Sequence, residues 1–508
     1  MRTEPARMND VIPAPMMVRP DPDADFTLTE STVLSVGGGA AATPTATWLA
    51  ELLRRGTGFA LPLVAGEGQS ESVIALELHT GEPDLGDEGY TLAVHPGSVV
   101  IRAGGAAGLF HGAETLRQLL PGRIESAGSR GPWVVAGGEI ADRPRYPWRG
   151  AMLDVARHFF SVADVERYID EIALYKINVL HLHLSDDQGW RIAIGRWPRL
   201  TAVGGSSEVG GGPGGHYTQE EYGRIVVHAA SRHVTVVPEI DMPGHVHAAL
   251  ASYPELNRDG AAPPLYTGID VGFSSLCADR PITYRFVEDV ISELAAITLG
   301  AYIHIGGDEA RSTPPADYSA FIERAGRIVA EHGKLPVVCA EATAAPLPPG
   351  SVAEYWDTAA ARDGLDHAAR SGVRVVLAPA NRCYLDQKYD SASPLGLSWA
   401  GPISVESAYD WDPAAYGVPD DRVEGVEAPL FSETLSTMGD IEQMAFPRLP
   451  GIAEIGWSPW AAHDWPGYRR RLAAQAPRWE AMELNFHRSP EVPWPEACRE
   501  AKGSNGSA

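Results

Sequence analysis

The 508-residue sequence predicts an α/β protein: a (β/α)8 or TIM-barrel domain preceded by a small α+β domain. Three features of the chain lead there. From about residue 149, short β-branched runs alternate with helical patterns, as they do when parallel strands are joined by crossover helices. The runs number eight, enough to close a barrel. Acidic, imidazole and aromatic residues gather just after the C-terminal ends of these runs, the rim on which barrel enzymes build their sites.

Taken in order, residues 1–20 are rich in Pro and Met and read as an extended segment. Residues 21–145 form the small α+β domain. Its strands are short and alternating, as in Tyr90-Thr-Leu-Ala-Val-His95 and Ser98-Val-Val-Ile-Arg102, and Leu109, Ala113, Leu116 and Leu120 then repeat at helical spacing. Asp142-Arg-Pro-Arg-Tyr-Pro-Trp148 reads as a linker, because two prolines interrupt regular structure.

The barrel domain spans 146–490, with strands expected at 151–155, 178–184, 234–240, 302–306, 336–339, 352–356, 373–378 and 425–431. Ser161 with Asp164, and Thr218 with Glu221, have the spacing of capping boxes. The stripes that follow, Val165, Tyr168, Ile169 and Ile172, then Tyr222, Ile225, Val226 and Ala229, should face the barrel. The glycine-rich stretch 204–216 matches no phosphate-binding fingerprint and reads as a flexible surface loop. Residues 491–508 read as a flexible tail.

Composition narrows the function. There are 41 basic and 66 acidic residues, a net charge of −25, and such a field repels phosphate backbones and anionic membranes. Nucleic-acid and membrane partners are therefore not expected. No run has the length or apolarity of a signal peptide or a membrane span, so a cytoplasmic location is expected for the chain as written, or a secreted one if a leader has been lost. Cys277, Cys339, Cys383 and Cys498 form no CxxC or metal spacing and read as reduced and incidental.

The most informative segment is Ala301-Tyr-Ile-His-Ile-Gly-Gly-Asp308-Glu309-Ala310. A β-branched run leads through two glycines, which let the backbone turn and leave room for a bulky ligand, to adjacent carboxylates. Paired acids in different environments are the usual tools of glycosidic cleavage. A bare Asp-Glu is more often a solvated loop end; the rest of the chain decides the matter.

This segment resembles the His-x-Gly-Gly-Asp-Glu motif of glycoside hydrolase family 20, the β-N-acetylhexosaminidases. The resemblance continues, in the family's order, through Gly150-Ala-Met-Leu-Asp-Val-Ala-Arg-His-Phe-Phe160, His181-Leu-His-Leu-Ser-Asp-Asp-Gln-Gly-Trp190, Pro238-Glu-Ile-Asp-Met-Pro-Gly-His245 and Gly425-Val-Glu-Ala-Pro-Leu-Phe-Ser-Glu433. It implies removal of a terminal β-linked N-acetylhexosamine from an oligosaccharide or glycoconjugate, with retention and with the substrate's acetamido group as nucleophile, the family being an exception to two-carboxylate catalysis.

By the same resemblance Glu309 is the general acid/base and Asp308 orients the acetamido group. Arg157, Asp386 and Glu433 hold sugar hydroxyls, although Arg157 could instead be a structural partner of Asp154. Tyr384 donates to the acetamido carbonyl, and Trp356 and Phe431 wall its pocket. Asp186, Asp241 and His245 stand behind the catalytic acids. Such a trio could also read as a metal site, but the family uses neither metal nor cofactor. Two departures are implied: Ala340 stands where the family carries a pocket Trp near strand five, and Phe431 where it carries a Trp after strand eight. The pocket should be less aromatic for both reasons. The alternatives are a family variant with altered N-acyl or disaccharide specificity and a weakly active sugar-binding relative.

Overall fold

The computed structural model describes residues 7–66, 70–79, 85–358 and 362–495. Its first domain is built on a mixed seven-stranded sheet. The strands are β1 (Met17–Pro20), β3 (Val33–Gly37), β4 (Leu63–Ala65), β5 (Val73–Leu78), β6 (Tyr90–His95), β7 (Ser98–Ala103) and β9 (Gly138–Asp142), in the order β1-β9-β6-β7-β5-β3-β4. A separate ribbon pairs β2 (Phe26–Leu28) with β8 (Trp133–Val135). Helices α1 (Thr43–Thr57) and α2 (Ala106–Leu119) cover the sheet.

The expected stripe on α2 is present, with Leu109, Ala113 and Leu116 fully buried, yet its other face is buried as well. That face meets the second domain: Phe110 packs on His233 with ring centroids 5.4 Å apart, and His111 on Trp457 at 5.0 Å.

Eight parallel strands then close a barrel: β10 (Trp148–Asp154), β11 (Val179–His183), β12 (Thr235–Glu239), β13 (Tyr302–His304), β14 (Leu335–Cys339), β15 (Val352–Tyr355), β16 (Arg374–Leu377) and β17 (Val423–Ala428), with β17 pairing back onto β10. The two-residue period of a strand sorts the interior into layers. Trp148, Val179, Val237, Val337, Val352 and Val376 form an apolar floor. Two residues further along each chain the inward positions turn polar, with His181 on β11, Glu239 on β12, His304 on β13 and Glu354 on β15, all buried. Above that layer the strands end and the site begins.

The helices that pack this barrel start as their sequences dictate. In α3 (Val162–Ala173) Ser161 Oγ accepts from the Asp164 N–H and Asp164 accepts from the Ser161 N–H. Thr218 and Glu221 exchange the same two bonds at the start of α4 (Gln219–Ser231). Val165, Tyr168, Ile169 and Ile172, and Tyr222, Ile225, Val226 and Ala229, are buried as their spacing requires.

Several sequence expectations change. The 1–20 segment is not wholly extended or separate: Met8–Asp10 is a 3-10 turn and β1 is a sheet edge paired to β9. Asp142 is no linker residue but the buried end of β9, accepting from Tyr90 Oη at 2.8 Å and Trp457 Nε1 at 3.0 Å. Barrel strand one starts earlier than expected because Trp148, although it follows a proline, pairs with Gly425 and donates from Nε1 to Glu427 at 2.8 Å.

The 204–216 loop is pinned, not free. The buried Arg191 guanidinium donates to the carbonyls of Gly205, Ser207 and Gly215 at 2.9–3.3 Å. At the C-terminus Val492 is buried and Trp494 packs on Trp479, so the described part of the tail is anchored. Residues 496–508, Cys498 among them, lie outside the described residues. No described helix is long and apolar enough to cross a membrane.

Candidate active site

All eleven residues singled out from the sequence line one cavity of about 410 Å³ at the C-terminal rim of the barrel. Each arrives from just beyond a strand: Arg157 after β10, Asp186 after β11, Asp241 and His245 after β12, Asp308 and Glu309 after β13, Trp356 after β15, Tyr384 and Asp386 after β16, Phe431 and Glu433 after β17.

The turn after β13 shows why two glycines stand there. Gly306 and Gly307 have φ of +64° and +104°, and a Cβ on Gly306 would lie 1.8 Å from Asp241 Oδ1. The room that glycine leaves is taken by Asp241, which accepts from the Gly307 N–H at 3.1 Å, and not by a ligand as the sequence suggested. The turn ends with Glu309 itself at φ +45°, and facing it His245 has φ +54°. Both are left-handed conformations that cost a residue with a Cβ, and they persist only where the surroundings fix them.

Behind the acids runs a chain of charged hydrogen bonds. Arg157 Nη2 lies 2.8 Å from Asp186 Oδ2, and its Nη1 lies 3.4 Å from Asp154 Oδ2, so it both pairs with Asp154 and faces the cavity. Asp186 also accepts from His183 Nε2 at 2.8 Å and His245 Nδ1 at 3.2 Å. The other nitrogen of His245 has no hydrogen-bond partner and lies 3.8 Å from Asp308 Oδ2 and 3.7 Å from Glu309 Oε2. Beneath, Glu239 joins His181, His183 and His304.

These contacts set the charges. Burial pushes the Glu309 carboxyl above its ordinary range and the Asp308 charge adds to this, against His245, Arg311 and Arg157. Burial and then Asp308 push Asp241 up as well, against the charge of His245. Asp186 is held well below the carboxylate range: burial opposes this, but the charges of Arg157 and His245 and the bonds from His183 and His245 outweigh it. Burial disfavours the His245 imidazolium, yet Asp186 and Asp241 hold it charged. At the far end, burial and the neighbouring Glu433 charge push Asp386 up to about 7.

The aromatic wall differs from expectation. Ala340 is buried in the core and does not line the cavity; the strand-five residue that does is Cys339, whose Sγ donates to Asp308 Oδ1 at 3.5 Å. Nor is the box left open. Trp399, from the loop after β16, meets Trp356 edge-on at 6.1 Å and Tyr384 at 5.6 Å, and Phe431 packs on Tyr384 at 5.6 Å.

Trp399, Cys339 and Arg311 are cavity residues that sequence reasoning missed, and Trp399 sits in an irregular Ser/Gly/Pro stretch that gives no periodic signal. His181, His183 and Glu239 were visible as polar residues at inward strand positions, a signal that alternation alone could have found. Among the described residues, Asp186, Asp241 and His245 form one of three groups whose donor atoms cluster closely enough to hold a metal ion. The Arg157 and His183 contacts account for Asp186 without one.

With this geometry in view, comparison with known proteins is decisive. Residues 146–460 match the family model described as glycosyl hydrolase family 20, catalytic domain, and residues 8–143 match that family's domain 2. The chain belongs to glycosyl hydrolase family 20. It is 42% identical to a β-N-acetylhexosaminidase of Cellulomonas fimi over 96% of this chain and 97% of that one. Among solved structures it is similar to the family 20 β-N-acetylhexosaminidase of Streptomyces coelicolor A3(2), with a TM-score of 0.94, 55% identity, and coverage of 97% of this chain and 100% of the other. A mutant Streptomyces plicatus β-hexosaminidase in complex with its product GlcNAc gives a TM-score of 0.93 at 55% identity, covering 97% of this chain and 99% of the other. The two adjacent acids, the imidazole behind them and the aromatic box line one cavity within the stretch that matches the family 20 catalytic domain.

Proposed function

We propose that this family 20 member is a retaining β-N-acetylhexosaminidase that removes terminal β-linked N-acetylglucosamine or N-acetylgalactosamine, with Glu309 as acid/base and Asp308 as the group that steers the acetamido nucleophile. One observation carries the assignment. Two adjacent carboxyl groups face the His245 imidazole, and burial raises that of Glu309 above its ordinary range at the mouth of a pocket closed by aromatic rings.

The chemistry follows from that placement. Glu309 gives its proton to the glycosidic oxygen as the C1–O bond breaks, while the acetamido carbonyl oxygen bonds to C1 from the opposite face. The product is an oxazolinium, whose positive charge Asp308 faces. Water then adds to C1 as Glu309 takes back a proton, and two inversions give retention. No nucleophile from the enzyme is required.

Tyr384 has its phenol pushed well above its ordinary value, first by burial, and so stays a donor for the acetamido carbonyl. Burial raises the carboxyls of both Asp386 and Glu433, which face the sugar hydroxyls at the far end of the pocket, with Arg157 beside Glu433. Trp356, Tyr384, Trp399 and Phe431 enclose the N-acyl group, which supports a preference for N-acetyl.

The test is Glu309→Gln on an aryl β-N-acetylglucosaminide. It deletes the proton with little change of volume, so the rate should fall ~10²–10⁴-fold with the melting temperature kept. A near-native rate would sink the assignment. Proton NMR of the first-formed sugar should show the β anomer, and Asp308→Asn should be severely impaired.

A further inference from the structure

The contact made by Glu309 at the cleft mouth runs against the work asked of it. A general acid must hold its proton before cleavage, and a guanidinium on its carboxylate holds that proton off. Arg311 Nη2 lies 2.6 Å from Glu309 Oε1, its side chain is 66% exposed, and among the described residues Glu309 is the only acid with which it forms an ion pair. Arg311 lines the cavity, and its stem passes so close to Gly272 that a Cβ there would lie 3.0 Å from Arg311 Cδ. The same loop supplies Ile269, 47% exposed, and Val271 to the cavity. The far end of the pocket is built of Tyr384, Asp386 and Glu433, so the leaving part of a substrate departs past Glu309 and therefore past Arg311.

We propose that Arg311 is the contact for an anionic substituent, a sulfate ester or a carboxylate, on the leaving part of the substrate, and that engaging it draws the guanidinium off Glu309 and lets the acid keep its proton. The chain is strongly acidic, at −25, and an exposed cation at this mouth is the feature an anionic aglycone can recognise. Arg offers a planar fork that takes either anion in two hydrogen bonds. The other groups acting on Glu309 stay in place: Asp308 on its own turn, His245 from beyond β12 and Arg157 from beyond β10. Exchange of one anion for another on Arg311 is thus the change that a substrate makes. The inference rests on the reading of Glu309 as the acid.

The experiment compares three β-N-acetylglucosaminides of one aryl alcohol, carrying a carboxamide, a carboxylate or a sulfate ester at the same position, in the parent protein and in Arg311→Gln. Taking each anion's kcat/KM over that of the carboxamide, and then parent over variant, cancels the intrinsic leaving ability. An exposed ion pair is worth up to about fivefold, so that ratio should be about two- to fivefold at low salt, shrink as sodium chloride is added, and partly return in Arg311→Lys. A gain for one anion alone assigns the contact to that anion.

A second readout is the pH profile on the carboxamide substrate. Removing a cation beside a carboxyl raises its pKa, so the basic limb of kcat/KM should move to higher pH in Arg311→Gln. A ratio of one for both anions, or an unmoved basic limb, overturns the proposal. Failure of the underlying assignment is distinguishable, because Glu309→Gln would then retain its rate.

Discussion

Glu341, two residues beyond the end of β14, shows how this site charges its own stability. Burial and the Asp308 charge push its carboxyl up to about 8, against an ordinary 4.5, and its buried Oε2 has no hydrogen-bond partner. The folded state therefore binds a proton here that the unfolded chain has lost. That contribution is full below about pH 4.5 and disappears as pH rises through 8. Glu341→Gln, neutral at every pH, should melt higher than the parent at pH 9, with the gap closing toward pH 4. A gap that ignores pH would show that Glu341 is ionised in the fold. Single residues were the best-read level of the sequence where a motif spoke, since Asp308, Glu309, Arg157 and Glu433 were placed by their blocks. Glu341, Trp399 and Arg311 were not, because their positions depend on how loops close over the rim, and one chain's residue types do not encode that path.

At the scale of elements, all eight barrel runs were legible because β-branched strands alternating with capped amphipathic helices leave two distinct periods in the sequence. Their ends were less so. Strand β13 stops at His304, not 306, since the next residues must turn with positive φ. That turn makes its own prediction. In Gly306→Ala the new methyl meets the Asp241 carboxylate, whose Oδ1 would lie 1.8 Å away, on a backbone at φ +64°. Either Asp241 swings out, breaking its bond from Gly307, or the turn moves and takes Asp308 and Glu309 with it. Activity should fall by at least ~10²-fold, since a displacement of about 1 Å at a catalytic group costs that much. Kinetics on a chromogenic substrate would check it, and a variant within tenfold of the parent would mean that the turn does not set the acids. The glycine-rich loop was misread because its anchor, Arg191, lies outside it in sequence.

Across the whole molecule the two domains share buried charge. Arg478, in helix α5 (Trp465–Ala481), donates to the carbonyls of Arg117 and Leu120 at 2.6 and 2.8 Å and pairs with Glu125, which Arg117 Nε also meets at 2.9 Å. Burial opposes ionisation of Glu125, but the two guanidinia hold it down to about 2. Glu125→Ala leaves Arg478 buried without a carboxylate and Arg117 with Glu114 alone, and breaking a buried pair in this way typically costs ~3–5 kcal/mol. Calorimetry should show the domains melting together, at lower temperature; two separated transitions would contradict a shared unit. The segment before β1 ties the same parts. Ile12 N–H donates to Gln118 at 2.9 Å, Ala14 N–H to Glu454 at 2.8 Å, and Val11 O accepts from Arg471 at 3.2 Å. Those last partners lie 440 and 460 residues away along the chain. At about 5–20 residues per second a ribosome needs roughly 20–90 s between making residue 14 and making its partners. During that interval Ile12 can already meet Gln118 and β1 can pair with β9, but the Ala14 N–H and the Val11 carbonyl lack their partners, so the seam between the domains is completed only after the barrel has emerged.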